Sequence, residues 1–128
     1  MDNVTKRANI LMGEGYLKLG DLYNALKAFK LAGDKDKLIE CGDTYLRKGW
    51  LDDALKAFEL AKVEPEKDKL IECGDACLEK GWLDNALKAF ELAGVKLEKD
   101  KLIECGNLYL EKGWIDEALK AFKAAVSL

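Results

Sequence analysis

The sequence predicts an all-α protein, an α-solenoid built from four helix-turn-helix repeats and about eight helices. Three observations lead to this prediction. A unit of 32 residues recurs, because residues 36–61 and 68–93 differ at only four of 26 positions and a third copy begins at Asp100. A more diverged copy occupies residues 6–31. Within each unit the apolar residues recur at spacings of three and four, as they do on one face of a helix, and a repeat of this length is typical of a stacked array.

The first helix of each unit is predicted from its apolar spacing and from the residue that ends it. In residues 36–48, Leu38, Cys41 and Tyr45 fall on one face. Two cationic residues and then Gly49 follow, and glycine after cationic residues is a common helix end. The same glycine recurs at Gly20, Gly81 and Gly113.

The second helix of each unit is predicted to begin at a tryptophan or at the position that a tryptophan takes. After Trp50, residues Leu51, Ala54 and Phe58 form a second amphipathic run, and Asp52 lies where the helix N-terminus is positive. Two antiparallel helices per unit follow. We place the units at approximately residues 3–33, 34–64, 65–96 and 97–128, all within one repeat domain.

A glycine in the middle of each first helix needs a compensating reason, because glycine costs about 0.5–1 kcal/mol there relative to alanine. Gly42 and its counterparts are expected to let the two helices of a hairpin approach closely. The expected contact is a small residue on the second helix, such as Ala54. The corresponding pairs are Gly74 with Ala86 and Gly106 with Ala118.

Composition narrows the classes of function. The net charge is −3, which disfavours the basic stripe that phosphate binding requires, so we expect no nucleic-acid partner. The chain has no histidine, the commonest general base and neutral metal ligand. Every polar group recurs with the repeat, whereas a catalytic site usually brings different residue types together once. We therefore predict that the chain is not an enzyme and has no cofactor.

The hydrophobic pattern also bears on location. No run of about 18 apolar residues exists, and the N-terminal ten residues are mostly polar, so we predict neither a membrane span nor a secretory signal. A cytoplasmic protein without a membrane partner is the expectation.

The four cysteines are predicted to be reduced packing residues. Three of them occupy the same position in successive units, and stacked helices lie about 8–10 Å apart, too far for a disulfide. Cys73 and Cys77 share a helix face, so a site with two thiolates is conceivable, but no third and fourth ligands are visible in the sequence. No metal site is predicted.

One pattern connects the repeat to a known family. The order Gly42, Tyr45, Ala54, Phe58 and Ala61 resembles the tetratricopeptide repeat (TPR) family, whose helix-turn-helix units are usually about 34 residues long. The resemblance implies a right-handed superhelix with a concave groove lined by the first helix of each unit. It also implies a scaffold that binds proteins or peptides. The near-identity of the units additionally suits a recent duplication or a designed repeat protein.

Carried over position by position, the resemblance implies a set of groove residues in which aliphatic and acidic side chains alternate. Such a surface should favour an amphipathic, basic helix or extended peptide. The alternative is that these residues form solvated helix faces without a ligand. The groove residues are Ile10, Glu14, Leu17, Asp36, Ile39, Asp43, Leu46, Arg47, Asp68, Ile71, Asp75, Leu78, Glu79, Ile103, Asn107, Leu110 and Glu111.

Trp50, Trp82 and Trp114 occur once per unit and should form an edge of the array. They could anchor a partner, but we favour a role in which each ring covers a turn and seals the joint between neighbouring units.

The C-terminal unit has no polar capping helix after it, so its apolar face is expected to be partly exposed and to favour self-association. The alternative function is therefore a structural or self-assembling array, or a fragment of one, without a dedicated ligand. The residues expected at this face are Leu119, Phe122, Ala125, Val126 and Leu128.

Overall fold

A computed structural model describes all 128 residues and contains eight α-helices and no β-strand. Successive helices pair, so the chain forms four helix-turn-helix repeats, as an α-solenoid does. The prediction of an all-α fold with about eight helices is confirmed. The helices are α1 (Asn3–Lys18), α2 (Leu22–Ala32), α3 (Lys35–Arg47), α4 (Leu51–Ala61), α5 (Lys67–Glu79), α6 (Leu83–Leu92), α7 (Lys99–Glu111) and α8 (Ile115–Val126).

The predicted glycines follow the first helix of every pair. Their φ angles lie between 76° and 79°, in the left-handed region that glycine adopts without the steric penalty of a Cβ atom. The chain can therefore reverse within two or three residues and begin the second helix. These glycines are Gly20, Gly49, Gly81 and Gly113.

The second helices begin in two different ways. Trp50, Trp82 and Trp114 are the N-cap residues of α4, α6 and α8, and none of them caps the helix with its side chain. Asp21 takes this position before α2, where its Oδ1 accepts a hydrogen bond from the backbone N–H of Asn24 at 3.1 Å. The first repeat thus has a true side-chain cap, whereas the later repeats have an aromatic ring available for packing.

The close approach of paired helices is present, but the contact differs from the expected one. Ala54 is buried, yet the atoms nearest to Gly42 belong to Phe58, since a Cβ atom built on Gly42 would lie 2.6 Å from Cε2 of that ring. The expectation that alanine faces the glycine is therefore wrong. Glycine is required at this position because the edge of the phenylalanine ring occupies the space that a Cβ atom would need. The other pairs are Gly13 with Phe29, Gly74 with Phe90 and Gly106 with Phe122.

The chain divides into two compact units. The first comprises residues 1–46 and 50–65, and therefore nearly all of α1 to α4. Its core joins Ala25 and Phe29 of α2 with Leu38 and Cys41 of α3 and Ala61 of α4. The second helix of one hairpin thus packs on both helices of the next, which neither hairpin could achieve alone.

The second unit comprises residues 47–49 and 66–128, and contains α5 to α8. The Tyr109 hydroxyl of α7 donates a buried hydrogen bond to the carbonyl oxygen of Leu78 in α5, at 2.7 Å. Lys120 of α8 lies 3.5 Å from Asp84 of α6, measured from Nζ to Oδ2. Both helices of the last hairpin are therefore tied to the hairpin before it.

The eight helices also bear on membrane insertion. None of them combines the length and the apolar composition needed to cross a bilayer.

Candidate functional site

In the first unit the predicted groove residues of α1 and α3 divide by exposure. Asp36 is exposed, and Leu17 and Ile39 are partly buried against the core. Leu46 has no exposed area, so its side chain is not available to a ligand. The remaining predicted residues of this unit, all half-buried, are Ile10, Glu14 and Asp43.

Glu14 is engaged within the first unit. Its Oε1 lies 3.2 Å from the ammonium of Lys37, which also approaches Glu40 at 3.4 Å. The hydrogen bond to Glu14 is the main cause that raises the pKa of Lys37. This pair bridges α1 and α3 across the face that the resemblance assigns to ligand binding.

In the second unit, three predicted residues of α5 line a pocket with α7. Asp75, Leu78 and Glu79 form one side of this cavity of about 520 Å³, a volume within the range of small-ligand sites. We call it the α5–α7 pocket. Its other side consists of Lys101, Cys105, Leu108, Tyr109 and Lys112.

The other predicted residues of this unit lie outside the lining of the α5–α7 pocket. On α7, Ile103 and Leu110 are each more than 40% exposed, and they fall on a different face from the lining residues. Arg47, which belongs to the second unit, is exposed. The remaining ones are Asp68, Ile71, Asn107 and Glu111.

Sequence reasoning missed the five α7 residues of the α5–α7 pocket, although a signal was present. Lys101, Cys105, Leu108 and Lys112 are spaced by four, three and four residues, so they share one helix face. The positions taken from the family lie on the face of each first helix that the resemblance assigns to the groove. A pocket between two neighbouring helices is lined instead by the flanks that face each other.

Two buried groups hold the floor of the α5–α7 pocket in place. The hydroxyl of Tyr109 is committed to Leu78, and burial raises the pKa of Tyr109 to about 12. Burial also raises the pKa of the Cys105 thiol. Both side chains are therefore neutral near pH 7, and the charges of the pocket come from its walls alone.

The tryptophan edge has the contacts of a sealing role. Trp114 covers Gly81, because a Cβ atom on that glycine would lie 2.8 Å from Cε3 of the ring. The ring of Trp114 also lies 5.7 Å from that of Tyr109, between centroids, and Lys112 places its ammonium 5.0 Å from the indole centroid. Trp82 packs less closely on Gly49, with its Cζ3 3.4 Å from a Cβ atom built on that glycine, and is 40% exposed.

The four cysteines are buried and unpaired. Cys73 and Cys77 interact through their thiols, and this hydrogen bond is the main cause that raises the pKa of Cys73 and lowers that of Cys77. Cys77 in turn donates to the carbonyl oxygen of Gly49, with a distance of 3.2 Å from Sγ. No group of three or more cysteine or carboxylate side chains lies close enough together to hold a metal ion.

The comparisons with known proteins agree with this architecture. The model of the tetratricopeptide repeat family matches residues 104–128, which cover most of α7 and all of α8. This match and the eight-helix arrangement fit a TPR-like repeat array. Repeats of this family generally act as scaffolds for protein interactions. No curated protein matches the chain.

Proposed function

We propose that this chain is a protein-interaction scaffold that binds an amphipathic, basic peptide or helix on the first helices of its repeats. The observation that carries the proposal is the partial exposure of aliphatic side chains beside exposed carboxylates. Ile39 is half-buried with Asp36 exposed one turn before it, and Ile71 is half-buried with Asp68 exposed in the same way. The right-handed superhelix that would join these faces into one groove stays a prediction, and so does a cytoplasmic location.

The two residue types would contribute differently to binding. Covering the aliphatic side chains stabilises a complex by roughly 25 cal/mol per Å² of apolar surface removed from water. Exposed carboxylates accelerate the encounter with a cationic segment and select for it, but salt screens them beyond about 10 Å at 0.1 M. Affinity for a basic partner should therefore fall as the salt concentration rises.

Two amphipathic helical peptides that share the same leucine positions test this proposal. One carries lysine and the other glutamate at all remaining positions, and each is titrated against the chain at low and high salt by fluorescence anisotropy. We expect the lysine peptide to bind and to weaken with salt, and the Asp36→Asn/Asp68→Asn variant to bind it less tightly. Absence of binding, affinity indifferent to salt, or equal binding of the glutamate peptide would contradict the proposal.

The proposal describes a binding protein and assigns no catalytic step. It is supported by the way in which the titratable residues recur from repeat to repeat, which places like groups at regular intervals and does not bring an acid, a base and a nucleophile together.

A second candidate, self-association through the last repeat, is favoured by one comparison within the second unit. Ile115 at the start of α8 is 52% exposed, whereas its counterpart Leu83 in α6 is 1% exposed. Leu110 is likewise 44% exposed and its counterpart Leu78 only 8%. The hairpin α7–α8 lies beside these buried residues, since Tyr109 bonds to the Leu78 carbonyl and Glu117 and Lys120 line a pocket with Leu83. A further hairpin of the same kind would cover Ile115 and Leu110 in the same way.

The expected terminal face has mixed exposure. Leu119, Val126 and Leu128 are exposed, Phe122 is half-buried, and Ala125 is buried. The expectation of exposure is therefore wrong for Ala125, which lies on the inner side of α8. The exposed remainder supports the proposal of self-association.

Molar mass measured over a wide range of protein concentration tests self-association. We expect mass to rise with concentration and Ile115→Lys to restore the monomer. Leu31→Lys, at an exposed position of α2 in the first unit, is the matched control and should associate as the parent chain does. A monomer at every concentration would remove this candidate.

A further inference from the structure

We propose that the α5–α7 pocket recognises a peptide segment of mixed charge. The segment places an aliphatic side chain in the pocket, a basic residue against α5 and an acidic residue against α7. This inference rests on the proposed peptide-binding function and specifies the chemistry of the partner at one place. It departs from a uniformly basic partner because the second wall of the pocket is cationic.

The floor of the pocket selects an aliphatic side chain. Leu108 is 46% exposed and supplies apolar surface, whereas Leu78 and the ring of Tyr109 are largely buried and close the floor beneath it. The Tyr109 hydroxyl is already bonded to the Leu78 carbonyl at 2.7 Å. No buried side-chain nitrogen or oxygen in the chain lacks a hydrogen-bond partner. A polar side chain entering the pocket would lose its water without gaining a buried partner there.

The walls carry opposite charges that face one another. Asp75 and Glu79 of α5 are exposed on one side, and Lys101 and Lys112 of α7 are exposed on the other. No carboxylate lies within ion-pair distance of Lys101. Lys112 is held over the indole of Trp114 at 5.0 Å, which positions its ammonium at the rim without neutralising it.

The first unit shows why these charges remain apart. Glu14 and Lys37 are the counterparts of Asp75 and Lys101 in the repeat, and their side chains meet at 3.2 Å. Aspartate is one methylene shorter than glutamate, so Asp75 does not reach Lys101. The bridge that joins α1 to α3 is therefore absent between α5 and α7, and the space it would occupy is open.

Two further differences between the repeats also shape the charge and the apolar surface of this pocket. Glu79 stands where the first repeat has Lys18, and it makes the α5 wall uniformly acidic. Leu108 stands where the second repeat has Thr44, and it makes the floor more apolar. Three positions that vary among the repeats thus converge on one pocket.

The distance between the walls sets the spacing of charges in the partner. Neighbouring packed helices lie about 8–10 Å apart, and an extended peptide advances about 3.3 Å per residue. Side chains alternate along an extended peptide, so a basic and an acidic residue three positions apart point to opposite sides. They can therefore each meet the wall of opposite charge, with aliphatic residues between them over the floor. A uniformly basic segment would satisfy α5 and be repelled by α7.

Four labelled peptides of eight residues provide the probes. They share glycine and serine ends and contain Lys-Leu-Leu-Glu, Lys-Leu-Leu-Lys or Glu-Leu-Leu-Glu; the mixed peptide is made in both residue orders and the tighter one is compared. Each exposed ion pair is worth about a two- to fivefold change in affinity. We expect the mixed peptide to bind the chain more tightly than either uniform peptide by at least this factor.

Two variants test the assignment to this pocket. Asp75→Glu keeps the charge but restores the length found at Glu14, so it should close the bridge to Lys101 and weaken the mixed peptide by about two- to fivefold. Lys101→Glu should transfer the preference to Lys-Leu-Leu-Lys. Lys99→Glu is the matched control, because residues two apart do not share a helix face, and it should keep the parent order of affinities. Helicity measured for each variant verifies folding.

The outcomes separate this inference from the function on which it rests. A chain that binds the long lysine peptide but prefers Lys-Leu-Leu-Lys to the mixed probe, or an Asp75→Glu variant with unchanged affinity, would overturn the mixed-charge pocket and leave the scaffold standing. Failure of all short probes with retained binding of the long peptide has the same meaning. Failure of every peptide would overturn both.

Discussion

The substitution Gly13→Ala tests the packing of helix pairs most directly, because Gly15 in the same helix offers a matched control. Both glycines lie in the interior of α1. A Cβ atom on Gly13 would lie 2.6 Å from Cδ1 and Cζ of Phe29, whereas one on Gly15 meets nothing within 4 Å. Both variants therefore gain the same helix propensity, but only the alanine at position 13 overlaps with the ring of Phe29.

The size of the effect follows from the geometry. Carbon atoms approach to about 3.5 Å without repulsion, and Cε1 of Phe29 lies closer to the added Cβ atom than Cδ1 or Cζ does. The ring would therefore have to withdraw by at least about 1 Å. Phe29 has no exposed area and is enclosed by Ala25 and Leu38. Overpacking of this kind lowers the free energy of unfolding by about 1–3 kcal/mol, and replacing a helical glycine by alanine raises it by about 1 kcal/mol. Gly13→Ala should lose about 1 kcal/mol and Gly15→Ala should gain about 1 kcal/mol.

Urea unfolding followed by circular dichroism measures this difference. With a slope of about 1–3 kcal/mol per molar urea, the two midpoints should differ by about 1 M. Adding Phe29→Leu to Gly13→Ala should recover part of the loss, because leucine vacates the space beside the new methyl group. The reasoning would be refuted by an equal rise of both midpoints, since the glycine would then serve no packing role.

Three further perturbations follow from local features. Lys62 has a φ of 59° and is the only residue other than glycine in the left-handed region, so Lys62→Gly should raise the free energy of unfolding by about 0.5–1 kcal/mol in urea. Burial raises the pKa of Cys41 from 9.0 to about 11 and that of Tyr109 from 10.0 to about 12. The unfolded chain releases these protons first, so stability that is complete below pH 9 should decline as the pH rises towards 12; a urea midpoint constant over this range would contradict this. Tyr109→Phe removes a buried hydrogen bond to the Leu78 carbonyl, which keeps its bond from the backbone N–H of Gly81, and should cost about 0.5–1.5 kcal/mol, whereas Tyr23→Phe at an exposed site should change the urea midpoint little.

The helices and their ends could be predicted because the determinants are local and repeated. Gly49 marks the end of α3 by its conformational freedom alone, and the apolar spacing before it fixes the face that is buried. Contacts between helices were harder to predict from the sequence. The sequence shows that Gly42 leaves a gap, but Ala54 and Phe58 lie on the same apolar run of α4, and only the packing geometry decides that the ring fills it.

The candidate site was predicted in part for a related reason. The resemblance supplies positions on single helices, and three of these positions, Asp75, Leu78 and Glu79, line the α5–α7 pocket. It does not describe the space between two helices. Lys101 changes the sign of one wall, and its contribution becomes visible only when α7 is placed beside α5.

Near-identity of the repeats obscures the residues that set specificity. Residues shared by every unit, such as the glycines, alanines and phenylalanines, are needed for stacking and present similar surfaces at each step. A partner that is bound at one place in the array must be selected by residues that differ from unit to unit. Asp75, Glu79 and Leu108 occupy positions that vary among the units. They lie around one pocket, in which Asp75 is one methylene shorter than Glu14, the residue that forms the ion pair in the first repeat. We therefore expect the positions that vary among the repeats, more than the shared ones, to determine which partner this chain prefers.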